Sequence, residues 1–77
     1  MEAKIEKINK IIAETLGVPP EEIKPESELI SDLNAGFLEI ADIIMKIKKE
    51  FLIEIQEEEI KKFVTVNDLI NLIIDEE

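Results

Sequence analysis

The side chains of this sequence that could do chemistry are hydroxyls and carboxylates, because Cys and His are both absent. Their absence excludes thiolate chemistry, disulfides, zinc sites of the Cys/His kind and triads that use His as the base. Ser27 and Ser31 have no such base to activate them, and we interpret both as loop or capping residues. Since no nucleophile–base pair can be written, we expect that the protein is not an enzyme and has no catalytic residue.

Two clusters of oxygen-bearing side chains could in principle hold a divalent cation. The three glutamates at 57–59 would bind one only weakly, and their place at the start of a short helix suits partners of the helix dipole. The pattern Asp-x-Asn-x-Gly at 32–36 has the beginning of a calcium loop. Such a loop needs its Gly one place later and a Glu at its twelfth position, where this chain has Ile43. We therefore predict no metal site.

Acidic residues outnumber basic ones across the chain. The sequence holds 19 Asp and Glu against 9 Lys and no Arg, which gives a formal net charge of −10. Binding of nucleic acid or of an acidic membrane needs a basic surface, so we expect neither as a partner. A protein with a basic surface is the natural partner of such a charge, although the charge by itself favours a simple role in solubility.

Length and apolar content predict a small folded protein. The 77 residues, of which 45% are hydrophobic, are interpreted as a single domain over 1–77. No apolar run approaches the ~20 residues that cross a bilayer, and the first residues lack the basic and apolar regions of a signal peptide. We expect a cytoplasmic protein that is monomeric or weakly dimeric.

Apolar residues at three- and four-residue steps predict four helices. Their expected bounds are about 2–16, 37–51, 57–63 and 66–75. In the second helix the residues expected to share the inward face are Leu38, Ala41, Ile44, Ile47 and Phe51. At the start of the last helix, Thr65 and Asp68 have the spacing of a capping box.

The segments between these helices differ in length and character. All three prolines fall within 18–31, which predicts a long loop with turns rather than a regular element. The apolar residues that should place this loop on the core are Val18, Ile23, Leu29 and Ile30. The apolar segment 52–55 has no second strand to pair with, so we predict an extended, buried connection.

The stretch 32–39, where the long loop meets the second helix, carries a family resemblance. It resembles the acyl carrier protein pattern Asp-Leu-Gly-Ala-Asp-Ser-Leu-Asp, and the matching residues are Asp32, Leu33, Ala35, Leu38 and Glu39. Leu-Gly-Val at 16–18 and Thr-Val-x-Asp at 65–68 extend the resemblance to about residues 4–74. It implies an all-α fold, namely a small acyl-carrier-protein-like four-helix bundle with a long first loop and a short third helix.

The sequence departs from that pattern where acyl carrier proteins hold 4'-phosphopantetheine on a serine. Phe37 stands at the serine position, and Asn34 and Gly36 replace the Gly and the Asp of the pattern. Phe has no oxygen to which the arm can be bonded. The nearest hydroxyl, on Ser31, lies outside the context that a transferase would recognise. The family cofactor is thus implied by the resemblance but is not attachable at Phe37, and we expect none.

The resemblance also places a surface for protein partners on the second helix. The candidate partner-binding residues are Phe37, Glu39, Ile40, Asp42 and Met45, facing a partner with a basic or apolar surface. Phe37 could fold inward and plug the cavity that an acyl chain would enter, or stay outside with Ile40 and Met45 as an apolar patch. Because Asp42 and Lys46 are four residues apart, a self-paired, solvated face is the simpler interpretation of the charges.

Two functions follow, and the sequence leaves both open. The first is a non-covalent protein-interaction module, or a stable scaffold of natural or designed origin, that has the carrier fold without the attachment serine. The second is an acyl carrier protein of fatty-acid or polyketide-type biosynthesis from which that serine was removed. The first is favoured, because three neighbouring pattern residues differ rather than the serine alone.

Overall fold

The computed structural model describes residues 2–75, apart from the side chains of residues 2, 57 and 75. The helices are α1 (Glu2–Leu16), α2 (Phe37–Phe51), α3 (Glu57–Ile60) and α4 (Val66–Asp75), with a 3₁₀ turn at Pro20–Glu22 in the first loop. The predicted all-α fold with a long first loop and a short third helix is confirmed. No helix within residues 2–75 combines the length and the apolar character needed to cross a membrane.

The third helix ends earlier than the sequence predicts, at Ile60 instead of at residue 63. Beyond it the amides bond three residues back: Lys62 donates to the Glu59 carbonyl at 3.0 Å, and Phe63 donates to the Ile60 carbonyl at 3.2 Å. Such bonds belong to tight turns, so the chain leaves the α-helix after one turn. The dipole role predicted for Glu57 lies outside the described side chains.

The core is built mainly from isoleucine and leucine side chains. Each of α1, α2 and α4 has an apolar face that a single helix cannot bury by itself. Burial of these faces against one another is the main force that holds the three helices together. The buried helical residues are Ile8, Ile12 and Ala13 of α1, Ile43, Ile44 and Ile47 of α2, and Val66, Leu69, Ile70 and Ile73 of α4.

The first loop packs on this core, as its apolar residues predict. Ile23 and Leu29 are buried, and Val18 is half-buried against the same cluster. Ile30 is the exception, because it is exposed. Ile30 lies within the turn that runs from Glu28 to Leu33, and there its side chain stands in solvent while Leu29 is buried.

Backbone hydrogen bonds tie the loop to the start of α4. They accompany an isolated antiparallel bridge between Glu28 and Thr65. The amides of Leu29, Val66 and Asn67 donate to the carbonyls of Val64, Ser27 and Pro25 at 2.9, 3.0 and 2.8 Å. These backbone hydrogen bonds hold the first loop in place although it has no regular secondary structure. They therefore help to fix the position from which the chain enters α2.

The inward face of the second helix is predicted correctly at Ile44, Ile47 and Phe51 but not in the first two turns. Its core-facing residues are Ile40, Ile43, Ile44, Ile47 and Phe51, whereas Leu38 and Ala41 are exposed. Both sets of residues have helical spacing, so periodicity does not separate them. Burial of Leu33 and Ala35 just before the helix anchors the chain and determines which of the two faces meets the core.

The capping box predicted at the start of α4 is present. One carboxylate oxygen of Asp68 accepts the amides of Val64 and Thr65 at 2.8 and 2.9 Å, and the Thr65 hydroxyl accepts the Asp68 amide at 3.3 Å. The bond from the Thr65 amide, followed by that from Val64, favours the charged carboxylate and lowers the pKa of Asp68. The side-chain oxygens of Asp68 and Thr65 thus accept backbone amides before the helix and in its first turn, and these bonds fix the start of α4.

Candidate docking site on the second helix

A closed turn precedes α2 and sets its starting point. A carboxylate oxygen of Asp32 accepts the Glu28 amide at 2.8 Å. The Glu28 carbonyl in return accepts the amides of Asp32 and Leu33 at 2.9 and 3.1 Å. Leu33 and Ala35 are buried. These three motif residues therefore have a structural role: the carboxylate closes the turn, and the two apolar side chains fasten it to the core.

Asn34 occupies the one position of this turn that needs an unusual backbone conformation. Its φ of 57° lies in the left-handed region, which favours Gly and which Asn tolerates better than most residues. The carrier pattern has Gly here. Asn34 therefore keeps the geometry of the turn, and its presence is no argument against a carrier fold.

Gly36 and Glu39 form the start of α2. Gly36 is the N-cap, and a carboxylate oxygen of Glu39 accepts its amide at 2.7 Å. Since Gly has no side chain that could return a bond, only one half of a capping box exists. A Cβ atom on Gly36 would stand 3.0 Å from that Glu39 oxygen, so a larger residue here requires a small shift of the Glu39 side chain.

Phe37 is the first residue of α2, and 84% of it is exposed to solvent. It therefore does not plug the core, and the exposed alternative is the one that agrees with the structure. Its benzyl group has no oxygen, so the residue present does not fit a 4'-phosphopantetheine arm. Of the two serines, Ser27 is buried and accepts the Lys24 amide at 3.2 Å, and Ser31 is exposed within the turn, six residues before Phe37.

An apolar face of α2 extends from Phe37 to the end of the helix. Leu38, Met45 and Leu52 are 83%, 52% and 89% exposed, and Ala41 lies open between them. We refer to Phe37, Leu38, Ala41, Met45 and Leu52 as the α2 outer face. Leu38, Ala41 and Leu52 were not predicted to belong to it. The signal was that the apolar residues of this helix occupy more positions than one buried face holds.

Ile40 does not belong to this face, contrary to the prediction of an exposed Phe37–Ile40 patch. It is half-buried and packs against the core. The reason is its angular position: at 100° per residue Ile40 lies on the side of the helix opposite Met45. Its predicted role in partner binding would therefore be indirect, as support for the helix rather than as contact surface.

The charges on α2 divide along its length. Asp42 is paired with Lys46 at 3.4 Å, as its spacing predicts, and the Lys46 ammonium also donates to the Thr15 hydroxyl of α1 at 3.0 Å. Lys48 and Lys49 lie in the last turn, and within residues 2–75 neither has a carboxylate in ion-pair distance. The first half of the helix is therefore acidic and the second half basic.

A shallow groove of about 480 Å³ lies at the carboxyl end of the outer face. It is lined by Met45, Lys48, Lys49, Leu52, Ile53 and Glu54. Three of these residues are apolar and three are charged, with both signs present. A groove of this composition suits an apolar side chain from a protein partner rather than a small polar ligand.

The fold and the junction have counterparts among known proteins. The phosphopantetheine attachment site family matches residues 6–73 of this sequence. The match covers most of the chain, so the chain belongs to this family. The similar proteins described next are acyl carrier proteins.

Relatives from one bacterial species support this assignment. An acyl carrier protein of Nitratidesulfovibrio vulgaris (strain Miyazaki F) is 45% identical over 65 residues, which is 84% of this chain and 86% of that protein. One from strain DP4 is 40% identical over 68 residues, or 88% of this chain and 90% of that protein. The structure of acyl carrier protein from Enterococcus faecalis matches with a TM-score of 0.81 over 96% of this chain and 94% of that chain, at 24% identity, which supports the fold alone.

These similarities favour the second of the two functions that the sequence left open. They support an acyl carrier protein, whereas a purely non-covalent interaction module gains no support from them. Acyl carrier proteins are carriers that interact with partner proteins, and they are not enzymes, in agreement with the chemistry expected from the sequence. The family implies a phosphopantetheine group, which Phe37 does not fit.

Proposed function

We propose that the chain is an acyl carrier protein of fatty-acid or polyketide-type biosynthesis in which Phe37 stands in place of the attachment serine. In this proposal residues 1–77 act as one cytoplasmic domain. The domain binds carrier-recognising proteins with a basic or apolar surface through the α2 outer face, together with Glu39 and Asp42. It holds no acyl chain at residue 37, because no covalent bond to the arm can form there.

The observation that carries this proposal is the geometry of the junction before α2. Asp32 closes the turn, Leu33 and Ala35 fasten it, and Asn34 takes the left-handed conformation. Residue 37 is delivered to the first position of the helix with its side chain in solvent. A serine at this position would be open to a modifying enzyme, which supports carrier chemistry on this scaffold once a hydroxyl is present.

The test is to restore the hydroxyl and measure the arm directly. The variant Phe37→Ser with Gly36→Asp is incubated with coenzyme A and a promiscuous phosphopantetheinyl transferase, and its intact mass is recorded. We expect a gain equal to the mass of the arm, mapped by proteolysis to residue 37. The unsubstituted chain and Phe37→Ala, which removes the benzyl group without supplying an oxygen, should show no gain.

Two results would contradict the proposal. A double variant that keeps its helical circular dichroism but takes no arm would show that the transferase surface is missing as well as the serine. A mass gain on the unsubstituted chain, mapped to Ser27 or Ser31, would show that Phe37 does not prevent attachment and that the site lies elsewhere.

A further inference from the structure

We infer that the α2 outer face binds a second copy of this chain, with the two α2 helices antiparallel and a two-fold axis passing close to Met45. The inference concerns the same face as the proposed function, but it needs neither a serine nor an arm. Self-association and attachment of the arm are therefore measured in separate experiments, and one proposal can be disproved while the other holds.

The exposed apolar residues of α2 are regularly spaced. Leu38 and Met45 are seven residues apart, which is two helical turns, so they lie on one stripe along α2, and Leu52, the C-cap residue just beyond the helix, follows Met45 by seven more residues. Leu38 and Leu52 are equally distant from Met45. When two such helices lie antiparallel about Met45, each Leu38 faces Leu52 of the other copy, and the two Met45 side chains meet.

The charges along the same helix are ordered as well. Asp42 lies three residues before Met45, and Lys48 and Lys49 lie three and four residues after it. An antiparallel pair places Asp42 of each copy against the last turn of the other, where these lysines are. A parallel pair would place acid against acid and lysine against lysine, so the charges select the antiparallel arrangement.

The position of the groove also favours the antiparallel arrangement. The groove lies at the Leu52 end of the stripe, which is where the antiparallel arrangement brings the start of the other α2 helix. That start presents Phe37 and Leu38, the two bulky apolar side chains exposed at the head of α2. In the antiparallel dimer Phe37 or Leu38 of each copy therefore lies over the groove of the other copy, which is lined in part by apolar side chains.

Two features limit the strength of this dimer. The contact involves one helix from each copy, which is at the small end of specific interfaces, and each copy carries a net charge of −10. The pairing of Asp42 with Lys46 within one chain is a half-exposed surface pair, so its exchange for a partner across the interface costs little. We therefore expect a weak, reversible dimer at physiological ionic strength.

The experiment is sedimentation equilibrium of the full chain over a concentration series that reaches the millimolar range. Met45→Glu places two carboxylates at the two-fold axis and should weaken dimerisation about tenfold or more. The matched control is Val64→Glu, since Val64 is similarly exposed but lies away from α2. It adds the same charge and should leave the dissociation constant unchanged within about twofold.

A charge exchange tests the arrangement itself. Asp42→Lys and Lys49→Glu should each weaken the dimer, because each brings like charges together, and the two changes combined should restore it. The combined variant has the same formal net charge as the unsubstituted chain, so its recovery cannot come from a change in overall repulsion. A combined variant that stays monomeric would overturn the antiparallel arrangement.

Two further outcomes would overturn the inference as a whole. The first is an unsubstituted chain that remains monomeric at millimolar concentration, which would leave the outer face to a different protein with a basic or apolar surface. The second is equal dissociation by Met45→Glu and Val64→Glu, which would show that added charge rather than loss of the stripe separates the copies.

Discussion

The two faces of α2 are both apolar but have opposite surroundings. The inner face, with Ile43, Ile44 and Ile47, is buried against α1 and the rest of the core. The outer face, with Leu38 and Met45, is open to solvent although its residues are similar in size and hydrophobicity. The difference shows that apolar character along one helix does not by itself determine burial, and the proposed docking gives the exposed face a use that stability within one chain does not.

The faces also differ in the kind of apolar residue they use. The inner face holds isoleucines, whose branched and stiff side chains pack well when their neighbours are fixed. The outer face holds leucine, methionine and phenylalanine, and a flexible thioether such as that of Met45 can adopt several shapes. Substitutions on the inner face should therefore mainly change stability, because they alter buried packing. Substitutions on the outer face should mainly change binding.

The largest expected effect contrasts Ile47 with Met45. Ile47→Ala leaves a cavity in the core and should lower the free energy of unfolding by about 2–5 kcal/mol. Met45→Ala removes a half-exposed side chain and should change it by no more than about 0.5 kcal/mol. Unfolding in urea, followed by helical circular dichroism, measures both values.

The reverse pattern is expected for self-association. Met45→Ala should weaken the dimer, and Ile47→Ala, measured well below its denaturation midpoint, should not. If the two substitutions were equally destabilising, Met45 would belong to the core, and the division of α2 into two faces would be wrong.

The second prediction concerns the helix ends that support each face. Asp68 accepts two amides at the start of α4, which completes the core, whereas Glu39 accepts only one at the start of α2. Asp68→Ala should cost about 1–2 kcal/mol of stability and Glu39→Ala less than that. A larger cost for Glu39→Ala would show that the docking helix, not α4, depends more on its cap.

The Asp68 contribution should also depend on pH. The pKa of Asp68 is lowered from its ordinary value of 3.8 by the hydrogen bonds from Thr65 and Val64. Its contribution is therefore complete above that value and is lost as the pH falls through the folded-state pKa. The difference in unfolding free energy between the unsubstituted chain and Asp68→Ala should be largest near neutral pH and should shrink as the pH falls below 3.8.

Much of the fold could be predicted from the sequence, because its local signals agree with one another. The helix bounds at 2–16, 37–51 and 66–75, the capping pair Thr65–Asp68 and the loop on the core were all found from period, prolines and cap residues. The end of α3 was missed, since its last turn differs from an α-helix only in hydrogen bonds to the third residue back.

The site was less predictable, for a physical reason. The sequence predicted that Leu38 and Ala41 face inward and that Ile40 is exposed, and the structure has the reverse. A helix that is apolar on more than one side has no periodicity that marks the buried face. Its rotation is set by tertiary contacts of the preceding turn, above all the burial of Leu33 and Ala35. The pair Asp42–Lys46, which depends on local spacing alone, was found correctly.

The smallest expected effect lies at the end of the outer face, where Leu52 closes α2. Its φ of 55° is left-handed, a conformation in which helices usually place Gly, and its side chain is almost fully exposed. Leu here strains the backbone and buries nothing within one chain, as expected of a residue kept for contact with a partner. Leu52→Gly should therefore raise the free energy of unfolding by about 0.5–1 kcal/mol, the relief of strain being partly offset by the flexibility of Gly in the unfolded chain. The same change should weaken the dimer, and Leu52→Asn, which also tolerates this conformation, should do likewise. Stabilisation with unchanged self-association would place Leu52 outside the contact and shorten the outer face to Phe37–Met45.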